Sequence, residues 1–318
     1  MEKKQDKKMS CKCLLVILYM TGVLCLLAGC AGKNYSDISI ENREATIEAI
    51  RTGLKEHASR ITISFSAKTD AEASLPDIAK ALYEEALYES SDPTGGDYIR
   101  FQTGGYELRY SVSPQKKRFV YTVRFLPVFY TTLKQEAYVT ERVGEIAREC
   151  EAAGYRSDFE RIRFIHDYIA SHVQYDQVHK GKENNHLKST AYAALYYHEA
   201  GCQGYSVLAY RLLKELGIDT RILTGTLYTD GGEEYHAWNL VKLGAGYYNM
   251  DITLDAKEAG SQDDPFTAAR PGQVKDRKVD KEYFLYSDQD FDENHIRDTV
   301  YQTPEFMQKY PVKEMLRP

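Results

Sequence analysis

Residues 201–251 contain the pattern that decides the fold, and they read GCQGYSVLAYRLLKELGIDTRILTGTLYTDGGEEYHAWNLVKLGAGYYNMD. After Cys202, apolar residues recur at helical spacing as far as Leu216, and Gly217 follows where a C-terminal helix cap is expected. Three runs rich in β-branched and aromatic residues come next, at 220–228, 235–242 and 246–252, with glycine-containing turns between them. The stretch therefore predicts a helix followed by an antiparallel sheet.

The same stretch contains the three residue types of an activated thiol nucleophile, namely Cys202, His236 and Asp251. Cys202 stands at the predicted N-terminus of the helix. The helix dipole favours negative charge at that position and helps to lower the pKa of a thiol. We therefore interpret Cys202 as a nucleophile rather than as an inert buried thiol.

The length of the last hairpin loop decides whether the histidine and the aspartate meet. With a loop of two or four residues centred between Gly244 and Ala245, Trp238 lies opposite Asp251, and His236 and Asp251 become diagonal neighbours about 7–8 Å apart. A three-residue loop would turn Asp251 to the other face of the sheet. Asn249 lies on the same face as Asp251 in the even register and is the alternative partner of the histidine.

Five blocks, ordered along the chain, resemble the transglutaminase-like superfamily of papain-like thiol enzymes. The three central blocks are GCQGY at 201–205, YHAWN at 235–239 and YNMDIT at 248–253. Two outer blocks are similar to bacterial members: HDY at 166–168 with VQYD at 173–176, and YFLYSD at 283–288 with His295. The resemblance covers roughly residues 157–295 and implies Cys202 as nucleophile, His236 as base and Asp251 as orienting acid. For His295 we favour a packing role.

The resemblance implies an α+β fold with a papain-like or transglutaminase-like core, in which the nucleophile helix packs on an antiparallel sheet. We divide the chain into four segments: a lipoprotein signal peptide (1–29), a tether and first helix (30–58), a small α+β domain (59–130) and a transglutaminase-like domain (131–318). In the small domain we predict three strands that form an antiparallel meander, at 98–102, 106–112 and 118–125. No catalytic constellation is evident there.

The N-terminal residues have the pattern of an export signal. A lysine-rich start precedes an apolar run from Cys13 to Leu27, which is short for a membrane span. Residues 27–30, LAGC, resemble a bacterial lipobox, which implies cleavage before Cys30 and attachment of diacylglycerol to its sulfur. The alternative is an uncleaved anchor helix. In both cases we expect an exported protein tethered to the bacterial cell membrane on its extracytoplasmic side.

The composition excludes several function classes. The chain has 318 residues and a net charge of −6. Beyond the predicted signal peptide it is acidic and has no basic tract, which argues against nucleic-acid binding. No dinucleotide, phosphate-loop or calcium motif is present, so we predict no cofactor. Four histidines lie at spacings of 6, 7 and 7 residues, which does not indicate a metal site; we interpret them as solvated: His166, His172, His179 and His186.

Two cysteines remain beyond Cys30. Cys150 falls on the apolar face of a helix predicted over 132–153, so we interpret it as a buried structural thiol. A disulfide between Cys150 and Cys202 is conceivable in an exported protein, but it would block the nucleophile and is not expected.

Together these patterns predict an acyl-transfer enzyme that works through a thioester on Cys202. We expect it to act on amide bonds of a peptide or protein, with cell-wall peptide as one substrate class, and to hydrolyse rather than transamidate. The Cys202 backbone N–H is one expected oxyanion donor, and the sequence identifies no second. The alternative is a non-catalytic binding or structural lipoprotein that retains the fold.

Overall fold

The structure is a computed structural model, and it describes residues 38–39, 43–68, 70–176, 186–258 and 281–314. The chain divides into two compact units, formed by 1–89 with 103–129 and by 90–102 with 130–318. The predicted signal peptide and Cys30 lie outside the described residues. Among the residues that are described, no helix combines the length and the apolar character needed to cross a membrane.

Helices and strands alternate along the chain, and the α+β fold class is confirmed. The helices in chain order are α1 (Arg43–Lys55), α2 (Leu75–Ala86), α3 (Asp97–Gln102), α4 (Leu133–Ala152), α5 (Asp158–His172), α6 (Ala191–Tyr196), α7 (Cys202–Glu215), α8 (Ile252–Glu258), α9 (Asp288–Phe291) and α10 (Pro304–Lys309). The strands are β1 (Ile38–Ser39), β2 (Ile61–Ala67), β3 (Thr103–Gln115), β4 (Arg118–Phe129), β5 (Gln174–Tyr175), β6 (Glu199–Ala200), β7 (Thr220–Thr229), β8 (Gly232–Leu243), β9 (Gly246–Met250), β10 (Phe284–Tyr286) and β11 (His295–Arg297).

The first unit is an antiparallel sheet in the order β1-β2-β4-β3, accompanied by α1 and α2. Alternate residues of β2 are buried, as the two-residue period of a strand with one covered face requires. On β4 the buried positions are Tyr121, Val123 and Phe125, which continue that apolar face. The predicted strands at 106–112 and 118–125 are confirmed as parts of β3 and β4.

The strand predicted at 98–102 is wrong, because these residues form α3, which belongs to the second unit. Tyrosine, isoleucine and phenylalanine favour strands in isolation, and a six-residue helix is too short to show a helical period. Tertiary contacts decide the conformation instead. Asp97 at the start of α3 accepts hydrogen bonds from the backbone N–H of Ile222 and from Arg221, at 2.9 and 2.7 Å.

The second unit is built on an antiparallel sheet in the order β10-β9-β8-β7-β11. The three central strands are those that the sequence predicts. Helix α7 contacts β7 and β8, and α4, α5 and α6 contact α7 from other sides. Every residue of α7 from Gly204 to Lys214 is buried, so the helix that begins with Cys202 is the central helix of this unit.

Two glycines fix the ends of α7. At Gly204 an added Cβ would lie 2.7 Å from the carbonyl oxygen of Lys188, so only glycine fits against that backbone. At the other end, Gly217 has a φ of 78° and Ile218 donates to the carbonyl of Leu213 at 2.9 Å, which completes the predicted C-terminal cap.

Candidate active site

The hairpin between β8 and β9 has the even loop on which the site depends. Leu243 pairs with Gly246, which leaves a two-residue loop, and Asn239 pairs with Met250. One step further along this register, Trp238 lies opposite Asp251. The loop-length condition is therefore met, and His236 and Asp251 project from the same face of the sheet.

The structure brings all three predicted site residues together. His236 and Asp251 are buried, and Nε2 of the histidine lies 2.6 Å from Oδ2 of the aspartate. His236 also acts on the Cys202 thiol, since its charge and a side-chain hydrogen bond lower the pKa of that thiol. Cys202 is the first residue of α7 and remains partly exposed. The nucleophile is accessible, while its two supporting residues are shielded from water.

The charges of these residues stabilise one another. Burial raises the pKa of Cys202, but the charge of His236, its hydrogen bond and the Ala237 backbone bring that pKa below its ordinary value. Burial lowers the pKa of His236, and the charges of Asp251 and Cys202 outweigh it and raise the pKa to about 10. Burial also disfavours ionised Asp251, yet His236 and His295 hold the pKa of that carboxyl far below its usual range. A thiolate, an imidazolium and a carboxylate are therefore the favoured charge states.

Asp251 is oriented by the helix that it precedes. Its Oδ1 accepts the backbone N–H groups of Thr253 and Leu254, at 2.9 and 3.3 Å, in the manner of an N-cap on α8. Oδ2 is left to face His236. One carboxylate thus caps a helix and positions the histidine.

The alternative partner, Asn249, makes different contacts. Its Oδ1 accepts the indole N–H of Trp238 at 3.2 Å and a guanidinium N–H of Arg297 at 3.0 Å. Its Nδ2 donates to Asp288 at 2.8 Å. Asn249 therefore supports the wall of the site rather than the histidine.

His295 enters the site although the sequence favours a packing role for it. It is fully buried and stacks on Phe291 with ring centroids 3.8 Å apart, so the packing expected of it is present. In addition, its Nε2 lies 3.2 Å from Oδ2 of Asp251. No periodicity places β11 beside β7, so only its membership of an outer motif block pointed to this histidine.

Tyr175 also borders the thiol. Its strand, β5, pairs in parallel with β6, and Tyr175 is the register partner of Ala200, two residues before Cys202. Burial raises the pKa of the Tyr175 phenol, and the charge of Cys202 raises it further. The phenol is thus close enough to respond to charge on the sulfur.

The other residues singled out by the sequence lie elsewhere. Cys150 is a free, buried thiol, as predicted. The interpretation of His166 as solvated is wrong: it is fully buried, and its Nε2 lies 2.7 Å from Oδ2 of Asp255. His172 is partly buried and lies against Tyr168, and His186 stacks on a tyrosine ring. His179 falls outside the described residues. The prediction was based on the polarity of the neighbouring loop. In the structure, α8 covers His166 instead.

In the described part of the chain, one group of side chains is close enough together to hold a metal ion. It consists of His236, Asp251 and His295, whose ring nitrogens and carboxylate oxygen lie within 4.8 Å of one another. Hydrogen bonds from two N–H groups to one carboxylate account for the same convergence. An ion would require both nitrogens to lose their protons. We therefore treat the group as hydrogen bonded.

Residues 145–252 match the family model of the transglutaminase-like superfamily. Over this segment the chain is similar to that superfamily. The matched segment contains the cysteine, the histidine and the aspartate described above, and the superfamily consists generally of cysteine-dependent enzymes.

Two solved structures are similar to parts of the chain. One, described as a TGase, has 16% identity and a TM-score of 0.35, over 67% of this chain and 54% of that one. The other, described as a candidate cysteine protease from Cytophaga hutchinsonii, has 14% identity and a TM-score of 0.30, over 48% of this chain and 65% of that one. This chain therefore spans less than two thirds of either structure, and likeness at this level carries no argument about activity. No curated protein matches the chain.

Proposed function

We propose that the transglutaminase-like domain is a thiol-dependent acyl-transfer enzyme that acts on amide bonds. One observation carries the proposal: His236 lies 2.6 Å from Asp251 through Nε2, and the same histidine lowers the pKa of the Cys202 thiol. This is the arrangement of a nucleophile, a base and an orienting acid. The intact arrangement supports an enzyme over a non-catalytic binding protein with the same fold.

The reaction follows from the charge states. The Cys202 thiolate attacks the amide carbonyl carbon and forms a tetrahedral oxyanion. The His236 imidazolium gives its proton to the leaving amine as the C–N bond breaks, and a thioester remains on the sulfur. His236, now neutral, takes a proton from water or from an incoming amine, which attacks the thioester and regenerates the thiolate. Throughout, Asp251 holds the imidazole and stabilises its cationic form.

We propose two donors that stabilise the oxyanion. The backbone N–H of Cys202 belongs to the first turn of α7, where N–H groups have no partner within the helix. The Tyr175 hydroxyl, carried on β5 beside Ala200, is the second donor in our proposal. The sequence alone did not identify it.

We further propose that hydrolysis predominates and that the substrate is a peptide or protein, with cell-wall peptide as one class. An enzyme tethered outside the membrane meets water far more often than an ordered amine. This location rests on the lipobox-like LAGC at residues 27–30. An acidic chain without a basic tract has no electrostatic means of holding nucleic acid.

Substrate profiling with peptide mixtures, with and without an added primary amine, tests the proposal. We expect wild-type protein to release carboxylate products and Cys202→Ala to release none. Amine-linked products in place of carboxylates would reassign the enzyme to transamidation. Equal turnover by wild type and Cys202→Ala would contradict the thiol mechanism.

A further inference from the structure

Asp251 accepts hydrogen bonds from two imidazoles on the same oxygen. Oδ2 lies 2.6 Å from Nε2 of His236 and 3.2 Å from Nε2 of His295. The two rings have centroids 5.6 Å apart, and all three side chains are buried. The triad is thus extended by a fourth residue, His295, which bonds to the carboxylate of Asp251.

The chemistry of the carboxylate fixes the protons. An ionised carboxylate only accepts hydrogen bonds, so both nitrogens that face Oδ2 carry a proton. Burial lowers the pKa of His295 more than Asp251 raises it, and the nitrogen that faces Asp251 is Nε2. Its Nδ1 lies 2.6 Å from Oδ1 of Asn294, an acceptor. Through Nε2, His295 therefore contributes one N–H donor to the Asp251 carboxylate.

The close pairing of β11 with β7 brings this second imidazole to Asp251. His295 lies on β11, which pairs with the far edge of β7 from β8. The residue of β7 opposite His236 is Gly225, and an added Cβ there would clash with the backbone of β11, 2.9 Å from Cα of Arg297. Any larger residue at Gly225 would displace β11, and His295 would move with that strand.

We propose that His295 is a positioning residue of the active site: by donating its Nε2–H to Oδ2, it fixes the rotation of the Asp251 carboxylate and limits how strongly that oxygen binds His236. The proposal rests on the proposed function. With Oδ1 held by α8 and Oδ2 held from a second side, the carboxylate has one orientation available when His236 changes charge.

The titratable groups that act on Asp251 or on His236 come from several elements: Cys202 on α7, Asp255 on α8, Tyr175 on β5 and His295 on β11. Of these, His295 alone donates directly to Oδ2 in the described part of the site. Without its N–H, the full charge of Oδ2 is available to the His236 imidazolium. Removing the donor should therefore raise the pKa of His236, in addition to loosening the carboxylate.

Two substitutions at the same position separate this role from packing. In His295→Gln the amide nitrogen is as many bonds from Cα as Nε2 is, so a donor to Asp251 is retained. In His295→Asn the amide reaches only as far as Nδ1, so contact with Asn294 is retained and the donor to Asp251 is lost. We expect kcat/KM to fall about 10- to 100-fold in His295→Asn, the scale of one lost charge-assisted hydrogen bond, and to remain within about threefold of wild type in His295→Gln.

A second measurement needs no turnover. In full-length protein with Cys202→Ala and ¹³C-labelled histidine, NMR titration reports the pKa of His236 directly. We expect that pKa to rise when His295→Asn is added and to stay at its reference value with His295→Gln. Equal pKa values in all three proteins, or equal shifts with Asn and Gln, would overturn the proposal. Failure of the proposed function alone would abolish the kcat/KM comparison and leave this titration intact.

Discussion

The side-chain oxygen of Asn249 accepts a 3.2 Å hydrogen bond from the indole N–H of Trp238, which directs the amide away from His236. Asp251, on the same face of the sheet, takes the position beside the histidine at 2.6 Å. The two residues that the sequence leaves as alternatives therefore have separate roles, and mutation can distinguish them.

Asp251→Asn is expected to preserve the fold and to lower kcat by roughly 10²–10⁴, because an amide favours the wrong imidazole tautomer and cannot stabilise imidazolium. Asn249→Ala should lower kcat much less, and should lower the melting temperature through loss of the Trp238 and Asp288 contacts. Steady-state kinetics and thermal unfolding of both variants make the comparison. The reverse order of kcat values would assign the third catalytic role to Asn249.

The thiol should react over an unusually wide pH range. The pKa of Cys202 is lowered, so its thiolate persists as pH falls, and the pKa of His236 is raised to about 10, so the imidazolium persists as pH rises. We expect the alkylation of Cys202 by iodoacetamide to begin at a pH below the range near 8.5 of an ordinary thiol. In His236→Ala the onset should move to higher pH. An unchanged onset would argue against the ion pair.

Gly204→Ala should destabilise the second unit by about 1–3 kcal/mol. The new methyl group would lie 2.7 Å from the carbonyl oxygen of Lys188, and a backbone atom cannot move aside as easily as the end of a side chain. Gly144→Ala on α4 is the matched control. There the nearest atom is the end of the Arg148 side chain at 3.4 Å, so the change should be neutral or stabilising by up to about 1 kcal/mol. Urea unfolding should show a loss of stability in Gly204→Ala and no loss in Gly144→Ala.

Tyr175→Phe should lower kcat by roughly 10²–10³, the usual effect of removing one oxyanion donor. Its rate of alkylation by iodoacetamide should be close to that of wild type, since displacement of iodide forms no oxyanion. Tyr196→Phe, at an exposed position on α6, serves as the control and should change neither rate. If Tyr175→Phe turns over at the wild-type rate, the second donor must be sought elsewhere.

Cys30→Ala should leave the precursor unprocessed and without lipid, because the lipobox-like motif requires the cysteine sulfur as its acceptor. Mass spectrometry of the N-terminal peptide from membrane fractions of the native host checks this. Wild-type protein whose Cys30 carries no diacylglycerol would rule out the anchor.

The sequence was most informative where local rules suffice. Helix α7, its glycine cap and the three central strands follow from periodicity and turn chemistry. The length of the loop at Gly244 and Ala245 was left open by the sequence, and the two-residue loop of the structure brings His236 and Asp251 to one face. Helix α3 was missed because its strand-forming residues are held helical by contacts distant in sequence, such as the bond from Asp97 to Ile222. His295 reaches Asp251 through β11, an edge strand of three residues whose pairing with β7 no local pattern specifies.

The central claim is that Cys202 becomes acylated with the help of His236. Incubation of the full chain with p-nitrophenyl acetate, followed by intact-mass analysis and peptide mapping, tests it most directly, with Cys150 as an internal reference thiol that is buried and has a raised pKa. We predict one hydroxylamine-labile acetyl group on Cys202, none on Cys150, and a rate at pH 7 that falls at least about tenfold in His236→Ala. Acylation of both cysteines alike, or of Cys202 at the same rate in His236→Ala, would contradict the account.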